Sequence, residues 1–174
     1  MRAWVLPVST PIDQVFSWCV TERCADRLLL SARLEKGAKA RKVGILSDPP
    51  VGDIVSSLFG SNLLERRFVR KWPGTELVGH KGVIFRIAFE TSLIDPMARV
   101  GKRLADWQHS HKPPLPEDPC LFRQGDTWPI LVSVTHEGDA WILSEERPPL
   151  CTGKSFDFSP ESLLVPSAET DFMI

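Results

Sequence analysis

Residues Val83 to Glu90 read Val-Ile-Phe-Arg-Ile-Ala-Phe-Glu, a pattern that few structures accommodate. Val83, Phe85, Ile87 and Phe89 fall on one side of an extended chain, and Ile84, Arg86, Ala88 and Glu90 on the other, the period-two pattern of a β-strand. One face belongs in a core. Arg86 and Glu90 keep the opposite face at least partly wet. A lone strand is not stable, so the flanking segments must supply neighbours in a sheet and a layer over its apolar face.

Those segments carry both kinds of signal. Arg2 to Val8 reads as a first strand ended by Pro7. Thr10-Pro11-Ile12-Asp13 offers a hydroxyl cap, a proline at the first helical position and a carboxylate three residues after the cap, and predicts a helix to about Thr21 with Ile12, Val15, Phe16 and Cys19 inward. The run Leu28-Leu29-Leu30 fits a strand or an extension of that helix. Gly37 to Lys42 reads as a basic loop and Val43 to Ser47 as a short strand. Asp48-Pro49-Pro50 then precedes Val51, Ile54, Val55, Leu58 and Phe59, an apolar stripe at helical spacing closed by Gly60.

Leu64 to Trp72 is expected to be one strand, with Leu64, Arg66, Phe68, Arg70 and Trp72 sharing a side. Pro73-Gly74 turns it, Thr75 to Val78 can pair with it, and Gly79 to Gly82 leads into the Val83 strand. A third helix begins at Asp95-Pro96 and places Met97, Val100, Leu104 and Trp107 on one stripe. His109 to Thr127, with Pro113, Pro114, Pro116 and Pro119, reads as a long stiff loop. Trp128 to Thr135 and Asp139 to Ser144 form a hairpin through His136-Glu137-Gly138.

Helical and strand patterns mix without βαβ alternation. The expectation is an α+β single domain over residues 1–145, an antiparallel or mixed sheet with two to three helices packed on one face. Residues 146–174 are expected to form an acidic Pro-rich C-terminal tail, packed on the domain or partly disordered. The 174 residues, 43% hydrophobic and 25% charged, suffice for one core of this kind and exclude wholesale disorder. No apolar run approaches the roughly 20 residues that cross a bilayer, and the N-terminus is a poor secretory signal, so a cytoplasmic protein with no membrane partner is expected. Cys19, Cys24, Cys120 and Cys151 lack metal or redox spacing and read as free thiols.

Charge is unevenly distributed. Residues 1–64 carry 8 basic and 6 acidic side chains, residues 65–112 carry 10 and 5, and residues 113–174 carry 3 and 11. The basic middle suggests a phosphate-binding surface. Arg66, Arg67, Arg70 and Lys71 alternate around Phe68 and Trp72, while Arg99, Lys102, Arg103 and Lys112 follow on the third helix and beyond it. Guanidinium and ammonium groups hold phosphates, and an exposed aromatic stacks an unpaired base, which points to a non-enzymatic binding module for single-stranded nucleic acid, RNA or DNA. The alternative is a protein-binding adaptor, inhibitor or immunity-type protein that uses Trp128 and Trp141 on the C-terminal hairpin, because tryptophan is enriched at interaction hot spots.

Signals for an enzyme are weaker. Gly153-Lys154-Ser155 ends like a phosphate-binding loop, but Pro148 stands where the earlier glycine is needed. His109 and His111 could form half of a metal site, with a third ligand from Cys120, Glu117, Asp118 or His136, as in a metal- or Cys/His-dependent hydrolase. His136-Glu137 lacks the spacing of a deaminase signature, and Arg123 occupies the place of its second cysteine. No cofactor motif is present, and none is expected to be required.

Overall fold

The computed structural model describes residues 1–33, 51–78, 82–108, 110–126 and 128–159. The fold is α+β, built on one eight-stranded sheet whose pairings are all antiparallel. The strands are β1 (Arg2–Val5), β2 (Arg27–Arg33), β3 (Leu63–Val69), β6 (Gly82–Ala88), β7 (Glu117–Phe122), β8 (Leu131–Val134), β9 (Asp139–Ser144) and β10 (Ser155–Asp157). They lie in the order β10-β1-β9-β8-β7-β2-β6-β3. A separate two-stranded ribbon joins β4 (Lys71–Trp72) to β5 (Thr75–Glu76).

Three helices, α1 (Ile12–Arg23), α2 (Val51–Phe59) and α3 (Ile94–Val100), cover one face of the sheet. Their inward residues, among them Val15, Phe16, Val55, Phe59 and Met97, pack on Leu28, Leu30, Val83, Phe85, Ile87, Leu121 and Ile142. The alternation through Val83, Phe85, Ile87 and Phe89 therefore serves the expected purpose, and all four are buried in this main core. A smaller core forms on the opposite face around Ala3, Leu29, Val69, Trp72, Ile84, Cys120, Val132 and Leu143. The four cysteines are free.

Several expectations are corrected. The hydroxyl of Thr10 donates to the Pro7 carbonyl at 2.6 Å instead of capping α1, so Pro11 occupies the cap position with no side-chain bond. Of the two readings open for the Leu28-Leu29-Leu30 run, the strand is the one found, over Arg27–Arg33 between β6 and β7. The third helix ends at Val100. Gly101 is extended, and Trp107 folds back so that its indole N–H donates to the Gly101 carbonyl at 3.1 Å, which buries Leu104 and Trp107 without a continuous helix. Gly37 to Ser47 and the Asp48-Pro49-Pro50 cap lie outside the described residues.

One further correction and one addition shape the site. The proline-rich stretch expected to be loop contains β7, an interior strand between β2 and β8. Pro119 is tolerated there because the β2–β7 register shifts between Leu29 and Ser31, and that irregularity absorbs a residue that has no N–H to give. Beyond Ser144 the chain adds β10 to the sheet edge, with Arg2, Ala3 and Trp4 opposite Asp157, Phe156 and Ser155.

The β4–β5 ribbon lies on the second core. Gly74 at its turn has φ +80°, and a Cβ there would run into the Val134 side chain. A Cβ on Gly82 would meet the Trp72 ring at 2.6 Å, so β6 begins with the one residue that lets the indole lie flat against it. Gly138, in the β8–β9 turn, also has a positive φ of 82° but faces open space. Gly138→Ala should therefore cost only the left-handed backbone penalty of about 1–2 kcal/mol, whereas Gly74→Ala should cost about 2–3 kcal/mol more through the clash. Urea unfolding of the two variants checks the difference, and equal losses would mean that the ribbon is not packed as described.

Candidate functional site

The basic residues of β3 do not all share one side of the sheet. Pairing of β3 with β6 sets Arg66 opposite Phe85 and Phe68 opposite Val83, on the helix-covered side, and sets Arg67 opposite Ile84 on the other. Phe68 packs against the main core, and the Arg66 guanidinium lies 5.9 Å from its ring centroid. The single strand expected from Leu64 to Trp72 is broken at Arg70. That break changes the parity of the alternation, so Trp72 points to the second core together with Val69. Trp72 is fully buried and offers no face to a base.

Carboxylates already engage several of these cations. Glu65 pairs with Arg67, through a 2.7 Å bond from Nε, and with Arg86 at 3.1 Å. Arg103 donates to Asp106 at 2.8 Å, which holds the Asp106 carboxyl below the ordinary aspartate range despite the opposing effect of burial. Arg70, Arg99, Lys102 and Lys112 are exposed and Lys71 is partly so. His109 lies outside the described residues. His111 points its Nδ1 at the Pro113 carbonyl, 2.9 Å away, and Cys120 is buried in the second core, so neither joins a shared ligand set.

A different polar centre sits under the ribbon. Asp118, fully buried on β7, has φ +54°, a left-handed conformation that aspartate adopts more readily than most residues. Its Oδ2 accepts from Trp72 Nε1 at 2.8 Å and from the Thr75 hydroxyl at 3.3 Å, one donor from each ribbon strand. Its Oδ1 accepts from the Thr135 backbone N–H at 2.8 Å and lies 3.4 Å from His136 Nδ1. The Thr135 hydroxyl has one proton, which goes to the Trp107 carbonyl at 2.6 Å. Its oxygen in turn accepts from the Asp118 N–H at 3.3 Å. One carboxylate thus ties β4, β5, the end of β8 and, through Thr135, the turn after α3.

Glu117, also buried, lies beside it and pairs with Arg33 of β2 at 3.2 Å. Arg33 Nη2 also reaches His136 Nε2, and Glu137 Oε1 lies 3.6 Å from that same nitrogen. With both carboxylates ionised, Glu117, Asp118 and Arg33 carry one net negative charge, which an imidazolium cancels. The hydrogen bond to Asp118 accordingly raises the His136 pKa, against partial burial and Arg33, with the charges of Asp118 and Glu117 adding to the rise.

Glu117, Asp118 and His136 present ligand atoms within 4.8 Å of one another, which resembles a metal site. The chemistry of the donor set does not fit. Asp118 is committed to N–H and O–H donors on both oxygens, and the Arg33 guanidinium stands where a cation bound to Glu117 and His136 would go. The centre is a structural clamp. In the sequence Glu117 and Asp118 stand out only as possible third ligands to His109 and His111, and His136 as that or as part of an incomplete deaminase signature. Their association comes from strand pairing across β7 and β8, for which the sequence has no local signal.

The second core also carries an aromatic rim. Phe122, Trp128, Trp141, Phe156 and Phe158 pack against it and remain partly exposed on the face opposite the helices. Trp128 and Phe158 meet edge to face with centroids 5.5 Å apart, as do Trp141 and Phe156 at 6.3 Å. Among the described residues, no helix is long and apolar enough to cross a membrane. No protein-family model matches the chain, and neither the curated proteins nor the solved structures contain a match.

Asp118→Asn keeps the shape but turns an amide N–H₂ towards donors, and should destabilise the fold by about 3 kcal/mol or more in denaturant titration. The His136 contribution has the sign of a raised pKa. The advantage of the wild type over His136→Gln should be full below the ordinary histidine value of ~6.5 and should disappear as pH rises through the raised value. A stability difference that does not change with pH would contradict the coupling.

Proposed function

We propose that the chain is a non-enzymatic binding module for a protein partner, and that it receives a basic polypeptide segment on the aromatic part of its open sheet face. The observation that carries this reading is the set of five partly exposed aromatics, Phe122, Trp128, Trp141, Phe156 and Phe158, gathered on the side without helices. Aromatic rings held by a packed core lose little freedom on binding and supply large contact areas. The charge of the partner follows from the stretch that carries Trp141, Phe156 and Phe158. Residues 137–159 hold Glu137, Asp139, Glu145, Glu146 and Asp157 against Arg147 and Lys154. A basic segment complements that balance, and its arginines can also lie over ring faces.

Single-stranded nucleic acid is less well supported. Trp72 is buried, Arg66 and Arg67 face opposite sides of the sheet, and Glu65 and Asp106 would have to release Arg67 and Arg103 to a phosphate. The exposed Arg70, Arg99, Lys102 and Lys112 still leave a salt-dependent interaction with nucleic acid as the competing outcome.

Selection of random displayed peptides on the native protein separates the two. Selected sequences should combine arginine or lysine with apolar residues, and Trp141→Ala should weaken their binding by roughly tenfold or more. The Arg66→Ala, Arg67→Ala, Arg70→Ala triple variant should bind them as the wild type does. The reading fails if selection yields no sequences sensitive to Trp141. It also fails if a single-stranded oligonucleotide binds with a steep salt dependence that the triple variant removes.

A further inference from the structure

The imidazole of His136 is placed between two partners that cannot both be satisfied in one protonation state. Its Nδ1 faces the buried Asp118 oxygen at 3.4 Å, which requires a proton on Nδ1 in either state. Its Nε2 receives Arg33 Nη2, and a guanidinium only donates, so this contact requires Nε2 to be bare and the ring neutral. Glu137 Oε1 stands 3.6 Å from the same Nε2 and can only accept, so it has nothing to take until Nε2 is protonated. Arg33 retains a second anchor in either case, Glu117 at 3.2 Å.

We propose that His136 is a protonation-driven partner exchange built into the tip of the β8–β9 hairpin. In the neutral state Arg33 donates to Nε2 and ties the tip to β2. In the protonated state Nε2–H turns to Glu137, Arg33 withdraws onto Glu117 alone, and the tip is released from β2. The proton comes from solvent, and the imidazole is partly exposed to receive it, with 22% of its side chain accessible. Charged groups reach the ring from each neighbouring element among the described residues: Arg33 from β2, Glu117 and Asp118 from β7, and Glu137 from the turn itself. The Asp118 bond persists through the exchange, so the ribbon clamp holds while the tip changes its anchor. The device does not depend on what the aromatic face binds, although β9 carries Trp141 away from this turn.

The exchange is readable by nuclear magnetic resonance on the full chain, with imidazole nitrogens, the Glu137 carboxyl carbon and the Arg33 guanidinium followed across a pH titration. His136→Gln identifies the His136 signals. At high pH the ring should be the tautomer protonated at Nδ1. The Glu137 and Arg33 signals should step together at the His136 midpoint, and Glu137→Gln, a change at an exposed side chain, should lower that midpoint and carry the Arg33 step down with it. A neutral ring protonated at Nε2 would overturn the proposal. So would a Glu137 carboxyl or an Arg33 guanidinium that shows no step at that midpoint, or a Glu137→Gln protein in which the midpoint is unchanged.

Discussion

A single buried carboxylate governs how the second face of the sheet closes. The β4–β5 ribbon is only two residues wide in each strand, too short to stand on its own backbone pairing. Asp118 supplies what the pairing lacks. It accepts from the indole of Trp72 on one ribbon strand and the hydroxyl of Thr75 on the other, while the Thr135 N–H fixes the same carboxylate to the far strand. Such an arrangement is stable in a dry interior only when both oxygens are supplied with donors, and here they are. The left-handed turn of the backbone at Asp118 aims the side chain across β8.

Other features follow from that clamp. Trp72 fills the second core because its N–H has a partner there, and its ring lies close enough to the start of β6 that only Gly82 leaves room. The ribbon therefore lies over the start of β6 at Gly82 and over Val132 and Val134 of β8, while Trp141 of β9 and Phe156 of β10 stay partly exposed. The Arg33, Glu117 and His136 cluster sits beside the clamp, because β2, β7 and the β8 end converge at that point. The helix-covered face is conventional by comparison, with three amphipathic helices on an apolar sheet surface.

The secondary structure was readable wherever an apolar period ran undisturbed. The Val83 strand, the Val51 helix and the C-terminal hairpin all have patterns that match their burial. Reading failed where one residue interrupted a period. Arg70 bends the chain between β3 and β4, which moves Trp72 to the opposite side from Arg66 and Phe68 and divides what looked like one basic and aromatic surface. Prolines concealed β7, because an extra residue on β7 in its pairing with β2 accommodates a proline that normally argues against an interior strand.

Local chemistry along the chain determined the fold class: alternating and helical apolar periods, with glycines and prolines marking their ends, specify an α+β domain with helices on one sheet face. It also determined an uneven supply of charge. Tertiary structure alone decided which charges meet, because the partners lie far apart in the chain: Trp72 and Asp118, Arg33 and His136, Glu65 and Arg86. Those contacts depend on strand order and register, which are set by the global packing of two cores. No residue's own neighbours in sequence carry that information.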